Sequence, residues 1–128
     1  MSSSSLHCVT SPNYIAFEGA EACGKSTQAA LLAARMDAVL TRETGGTAVG
    51  ARLREMLHDN SITNLTPRAE ALMTAADRAQ HLAEVVGPAL DGGRNVVSDR
   101  SLYSTLAYQG YGRELDVEEL TSINDWAI

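Results

Sequence analysis

The residues whose types and spacing could do chemistry begin at Gly19-Ala20-Glu21-Ala22-Cys23-Gly24-Lys25-Ser26-Thr27, which fits the pattern G-x-x-x-x-G-K-[ST]. Two glycines let the backbone bend so that successive N–H groups point inward at phosphate oxygens. Lys25 then reaches the terminal phosphates, and the Ser26 hydroxyl can ligate Mg²⁺. Such a loop must leave a buried strand and open a helix, whose N-terminus favours negative charge. Both neighbours are present. Tyr14-Ile15-Ala16-Phe17 is a short apolar run suited to a strand, and Gln28 through Met36 is rich in Ala and Leu without Gly or Pro. An ordinary glycine-containing turn needs neither neighbour, so the stretch reads as a phosphate-cradling loop for a phosphorylated nucleotide.

The elements that must position this loop follow in order. Residues 1–12, with four consecutive serines and a Ser11-Pro12 step, read as a flexible tail; residues 13–128 read as one domain. After the strand at Tyr14 to Glu18 and a helix over Lys25 to Met36, Ala38-Val39-Leu40-Thr41 is a second strand. The β-α-β order predicts a parallel sheet. Arg42-Glu43-Thr44-Gly45-Gly46-Thr47 is expected to leave that strand as a polar loop, where parallel sheets line their ligand crevice. Taken alone, an Arg-Glu dipeptide is ordinary solvated surface.

A short helix from Val49 to Leu57 is expected to pack through Val49, Leu53, Met56 and Leu57, with Arg52 and Arg54 off that stripe. Thr66-Pro67 reads as a helix start, Thr capping and Pro in the first position. That helix is expected to run to about Val86, packing through Ala71, Leu72, Ala75, Ala76, Ala79 and Leu82, with Gly87-Pro88 kinking or ending it. Asn95 to Asp99 is a third strand ending in an acid. Ser101 to Tyr108 reads as a helix start, and Asp116-Val117-Glu118-Glu119 as a capping box that launches a last helix.

Composition narrows the function classes. With 128 residues and 45% apolar content the chain can bury a core. A net charge of −6 argues against a general binder of nucleic acid or membrane surface. Cys8 lies in the tail and Cys23 in the phosphate loop, so a disulfide is not expected and a reducing compartment fits. No apolar run approaches membrane-spanning length, and the first residues lack a secretory pattern.

Four segments in this order are jointly specific: Phe17-Glu18-Gly19 with its loop, the Gly45-Gly46-Thr47 loop, Asp99-Arg100, and Ala107-Tyr108-Gln109-Gly110. Together with Asp77-Arg78 they resemble the thymidylate kinase family over about Tyr14 to Ile128. The resemblance implies an α/β fold of the P-loop nucleoside monophosphate kinase type, three layers with a parallel sheet. It implies transfer of the γ-phosphoryl of ATP to dTMP with Mg²⁺, a cytoplasmic location and a homodimer. It implies that Lys25, Ser26, Thr27 and the loop amides hold the ATP phosphates, with Ser26 and Asp99 near the metal. Lys25, Asp99 and Arg100 would serve catalysis. Glu21 would approach the acceptor sugar, Arg42 and Arg100 would hold the acceptor phosphate with Arg54 close by, and Arg78 would read a base carbonyl. Ser104, Thr105, Tyr108 and Gln109 would wall the base and sugar.

Three departures from the family pattern stand out. Thr44 replaces a usual proline, which should loosen the acceptor loop by about 0.4–1 kcal/mol. Thr74 replaces a phenylalanine that stacks on the base, an interaction worth about 1–3 kcal/mol, so the KM for dTMP should rise roughly ten- to a hundredfold unless another ring substitutes. The family continues past the helix matching residues 117–128 with a strand, an arginine-bearing lid and closing helices, and Ala22 stands where some members carry a loop arginine instead. The chain is therefore expected to be the fold through its fifth helix. It is either a piece of a longer kinase or a natural truncation with weak or no activity. A related P-loop nucleotide or nucleoside kinase, and a lidless nucleotide-binding module, are the competing readings.

Overall fold

The computed structural model describes residues 11–19, 24–101, 110, 112 and 114–128. Residues 1–10 of the expected tail over 1–12, loop residues 20–23, and residues 102–109, which carry the expected wall and all but the first residue of the helix expected from Ser101, lie outside the described residues.

Three short strands, β1 (Tyr14–Phe17), β2 (Val39–Arg42) and β3 (Val96–Asp99), form a parallel sheet in the order β1-β3-β2. β3 is central, and its Val96, Val97 and Ser98 are buried. The register sets Phe17, Asp99 and Arg42 side by side at the carboxyl ends of the strands. Because side chains alternate along a strand, the sheet's two faces differ in character. On one face Val97 packs with Ala29 and Ala33 of α1 (Lys25–Met36), bordered by Phe17, Leu32 and Ala38. Small alanines let α1 lie close on the sheet. On the other face, Thr41 meets His81 of α3 (Pro67–His81), with Oγ1 2.6 Å from Nε2.

Local chemistry accounts for several ends. Gly24 takes φ 84° to turn the chain into α1, a conformation costly for any residue with a Cβ. Thr66 caps α3 by accepting from the Ala69 N–H, with Pro67 in the first turn. Asp116 caps α5 (Val117–Ala127), accepting from the amides of Glu118 and Glu119.

Two expectations are corrected. In α2 (Ala48–Leu57) Val49 and Met56 are exposed, and the inward line is Gly50, Leu53, Arg54 and Leu57. Gly50 sets this rotation: its lack of a side chain lets α2 approach Asp77 of α3, where an added Cβ would sit 2.2 Å from the carboxylate. In α3, Ala71 and Ala75 are buried as expected, but Leu72 and Ala76 face solvent while Asp77, Arg78 and His81 turn inward. The long helix is interrupted at Val86, as expected for Gly87-Pro88. A π-helical turn over Leu82–Val86 carries it into α4 (Gly87–Asp91), with the Gly87 N–H reaching back to the Leu82 carbonyl. Widening by one residue just before Pro88 absorbs the ring that cannot donate a hydrogen bond.

Candidate active site

Parallel pairing brings three chain segments to one sheet edge: the phosphate loop after β1, the segment after β2, and Asp99-Arg100 at the end of β3. Backbone bonds extend this alignment past the strands. The Arg100 N–H donates to the Phe17 carbonyl (2.8 Å), and the Glu43 N–H to the Asp99 carbonyl (3.1 Å). Arg100 adopts φ 71°, and its carbonyl accepts from Ser98 Oγ at 2.8 Å. Ser101 Oγ donates to Glu18 at 2.6 Å, tying the start of the loop to the end of β3.

Ser26 Oγ donates to Asp99 Oδ2 at 2.5 Å, a short charge-assisted bond. Asp99 Oδ1 is buried and has no hydrogen-bond partner among the described residues. A hydroxyl and an under-used carboxylate beside a phosphate loop suit Mg²⁺, which takes one or two hard oxygens from a protein and completes its shell with phosphate and water. Among the described residues no group of three or more His, Cys, Asp or Glu could hold a metal ion on protein ligands alone. Lys25 is buried at the first position of α1, with Ser26 and Thr27 exposed behind it.

Arg42 is the last residue of β2 and is exposed. It meets Arg54 across Gly45: a Cβ on Gly45 would lie 2.9 Å from Arg54 Cδ and 3.6 Å from Arg42 Nε. Arg54 Nη1 donates to the Thr44 carbonyl at 3.2 Å. Among the described residues neither guanidinium forms an ion pair, so the two arginine side chains flank Gly45 without a neutralising carboxylate.

Arg78, expected to read a base, is buried. Its Nη2 pairs with Glu43 Oε1 at 2.6 Å and its Nη1 donates to Asn124 Oδ1. Thr74, one turn earlier on α3, is half-buried and donates its hydroxyl to the Glu70 carbonyl at 2.9 Å. Glu21 and the other variable positions of the loop, Ala20, Ala22 and Cys23, lie outside the described residues, as do Ser104, Thr105, Tyr108 and Gln109.

Sequence reasoning missed a buried polar layer below the β2–α2 segment: Glu43, Asp77, His81 and Asn124 beside Thr41. Glu43 is 8% exposed, and Asp77, His81 and Asn124 are fully buried. Burial pushes the Asp77 carboxyl above its ordinary value, a rise opposed by the N–H it accepts from Gly45 and reinforced by the Glu43 charge. The available signal was three ionisable side chains at positions 77, 78 and 81 of one helix, two to three turns of which are otherwise alanine-rich.

A family model described as thymidylate kinase matches residues 17–128. The thymidylate kinase of Bifidobacterium longum (strain NCC 2705) is 49% identical over 122 residues, covering 89% of this chain and 59% of its own length. That of Desulfovibrio desulfuricans is 51% identical over 116 residues, covering 87% of this chain and 54% of its own. The crystal structure of thymidylate kinase from Ehrlichia chaffeensis shares the fold with a TM-score of 0.86 at 35% identity, covering 93% of this chain and 66% of that one. The chain spans somewhat over half the length of the curated relatives it matches. The match takes in the phosphate loop, both arginine-bearing segments and the buried layer of α3, and on this evidence the chain belongs to the thymidylate kinase family.

Proposed function

We propose that this chain forms the phosphate-loop and acceptor-binding part of a thymidylate kinase, which passes the γ-phosphoryl of ATP to dTMP to give dTDP and ADP. The observation that carries the reading is the convergence, at the carboxyl edge of one sheet, of a phosphate loop with Ser26 on Asp99 and of Arg42 with Arg54.

Phosphoryl transfer leaves little covalent work to a protein. The acceptor oxygen must be held in line, and the charge of the transferring group must be neutralised. Lys25 and the loop amides hold the donor phosphates. Mg²⁺, when bound by Ser26 and Asp99, supplies charge neutralisation at the phosphates. Arg42 and Arg100 grip the acceptor phosphate, a task suited to the planar guanidinium fork, and Arg54 adds charge nearby. Arg78, whose guanidinium is held by Glu43 and Asn124, reads a base carbonyl. Glu21 meets the acceptor sugar, while Ser104, Thr105, Tyr108 and Gln109 enclose base and sugar. An arginine acting on the transferring group is worth about 10³-fold or more. This reading places the protein in the cytoplasm.

Release of ADP, followed in a coupled assay with dTMP, dUMP, dCMP and thymidine as acceptors, tests the proposal. Turnover greatest with dTMP is expected. Preference for a nucleoside would sink it. Calorimetric binding of dTMP and ATP without turnover would assign this chain the binding role, with transfer needing the segment that the longer relatives carry.

A homodimer is part of the same proposal. Its support is an apolar groove of about 380 Å³ between α3 and α5, lined by Leu72, Ala76, Ala79, Ile123 and Trp126. Trp126 is 90% exposed and Leu72 55%, large apolar side chains that a second copy could cover.

A further inference from the structure

The polar layer below the β2–α2 segment contains two side chains that the kinase reading does not use. Asp77 Oδ1 accepts the Gly45 N–H at 3.0 Å, and its Oδ2 is buried without a hydrogen-bond partner among the described residues. His81, one turn on, lies against the next residue: a Cβ on Gly46 would come within 2.9 Å of His81 Cδ2. The same ring contacts Thr41 through Nε2 at 2.6 Å and Glu43 through Nδ1 at 3.3 Å. A carboxylate only accepts, so Nδ1 carries a hydrogen toward Glu43 and, in the neutral ring, Nε2 accepts from the Thr41 hydroxyl.

Successive turns of α3 thus hold successive residues of the Gly45-Gly46 pair. Both glycines are needed at these contacts. Gly45 has φ 99° and carries the Arg54 and Arg42 side chains against its bare Cα, and Gly46 leaves no room between the Arg42 carbonyl, Thr41 and His81. Packing alone gives no reason for an acid at residue 77. A fully buried carboxylate with one oxygen unpaired is costlier than an apolar side chain of similar size. What Asp77 supplies is a fixed acceptor for one backbone amide, that of the residue flanked by Arg42 Nε and the aliphatic stem of Arg54.

We propose that Asp77 and His81 are positioning residues for the acceptor phosphate: α3 clamps Gly45 and Gly46 and thereby sets the spacing of Arg42 and Arg54. Neither residue touches the ligand, since both are fully buried. The inference rests on the reading of Arg42 as an acceptor-phosphate group.

The test uses the full chain, ¹⁵N-labelled, as wild type, Asp77→Ala, Asp77→Asn and His81→Gln. Two readouts are taken: amide hydrogen exchange at Gly45 and Gly46, with the β3 amides as reference, and calorimetric affinities for dTMP and for ADP. Loss of the buried acceptor in Asp77→Ala should speed Gly45 exchange and weaken dTMP binding, each by about tenfold, with β3 exchange and ADP affinity changed less than about twofold. Asp77→Asn keeps an acceptor oxygen and should recover most of both losses. His81→Gln should speed exchange at Gly46 and weaken dTMP in the same selective way. Unchanged Gly45 exchange in Asp77→Ala overturns the clamp. So does a fall in dTMP and ADP affinities together with faster β3 exchange, which would mark a general loss of stability. Should the alanine variant not fold, dTMP binding in Asp77→Asn that falls about tenfold while Gly45 stays protected overturns it. If wild type binds no dTMP, the kinase reading fails, and exchange at Gly45 and Gly46 decides the clamp by itself.

Discussion

Asp77 shows how a single side chain can serve a site at a cost to the fold. Burial raises its carboxyl from an ordinary value of 3.8, so the folded protein holds this proton more tightly than the unfolded chain does. As pH rises from about 3.8 through the raised folded value, the unfolded state gives up its proton first, and the stability that the neutral acid allowed is lost. Above that window the deficit is constant. Asp77→Asn has no such proton. Urea unfolding at a series of pH values from acid to neutral should show the stability of the variant, relative to wild type, improving as pH rises. A difference that is flat with pH would mean that Asp77 ionises as easily in the folded state as in the unfolded one.

Among the elements, α3 carries more than packing. Its outer side presents Leu72 and Ala76, and its inner side inserts Asp77, Arg78 and His81 between β2, the β2–α2 segment and α5. Asn124 completes the link: its Oδ1 meets Arg78, and its Nδ2 donates to the Leu120 carbonyl of its own helix. The Glu43–Arg78 side chains are 6% and 4% exposed. Removing one partner leaves a buried charge uncompensated, which costs about 3–5 kcal/mol, whereas exchanging both for apolar groups is often neutral. Glu43→Ala is therefore expected to lower unfolding stability by about 3 kcal/mol, and Glu43→Leu with Arg78→Met to lose much less. A single variant within about 1 kcal/mol of wild type in urea unfolding would show that the pair holds nothing together. By contrast, the exposed Arg68–Glu119 pair at 3.5 Å should be negligible.

For the whole molecule, the proposed dimer turns on the outer surface of α3 and α5. Trp126 and Ile128 are exposed near the end of α5, and Leu72 faces the same groove from α3. Sedimentation equilibrium is expected to give twice the chain mass for wild type and the chain mass for Trp126→Asp, with circular dichroism unchanged. A wild-type protein that stays monomeric at high concentration would remove the dimer from the proposal. The site and this surface lie on opposite sides of α3, so loss of the dimer should leave dTMP affinity nearly intact.

Local rules were enough for a part of this protein. Residues Gly19 to Thr27 announced a phosphate loop because the motif's geometry needs only neighbouring residues, and the caps at Thr66 and Asp116 were legible because each side chain bonds within its own first turn. The parallel sheet also followed from the order of strands and helix, and Arg42, Asp99 and Arg100 were picked out by the resemblance. The rotation of α2 and the inner face of α3 were not legible. An alanine-rich helix reads as packing through its alanines, yet α3 buries an acid, a guanidinium and an imidazole beside Ala71 and Ala75. Their partners lie far off in the chain, at Thr41, Glu43, Gly45 and Asn124. Sequence by itself marked the phosphate-loop motif and the strand order that brings its neighbouring segments to one edge of the sheet. Only the tertiary structure decided which polar groups could be buried, because burial of a charge becomes affordable only where the fold delivers its partner.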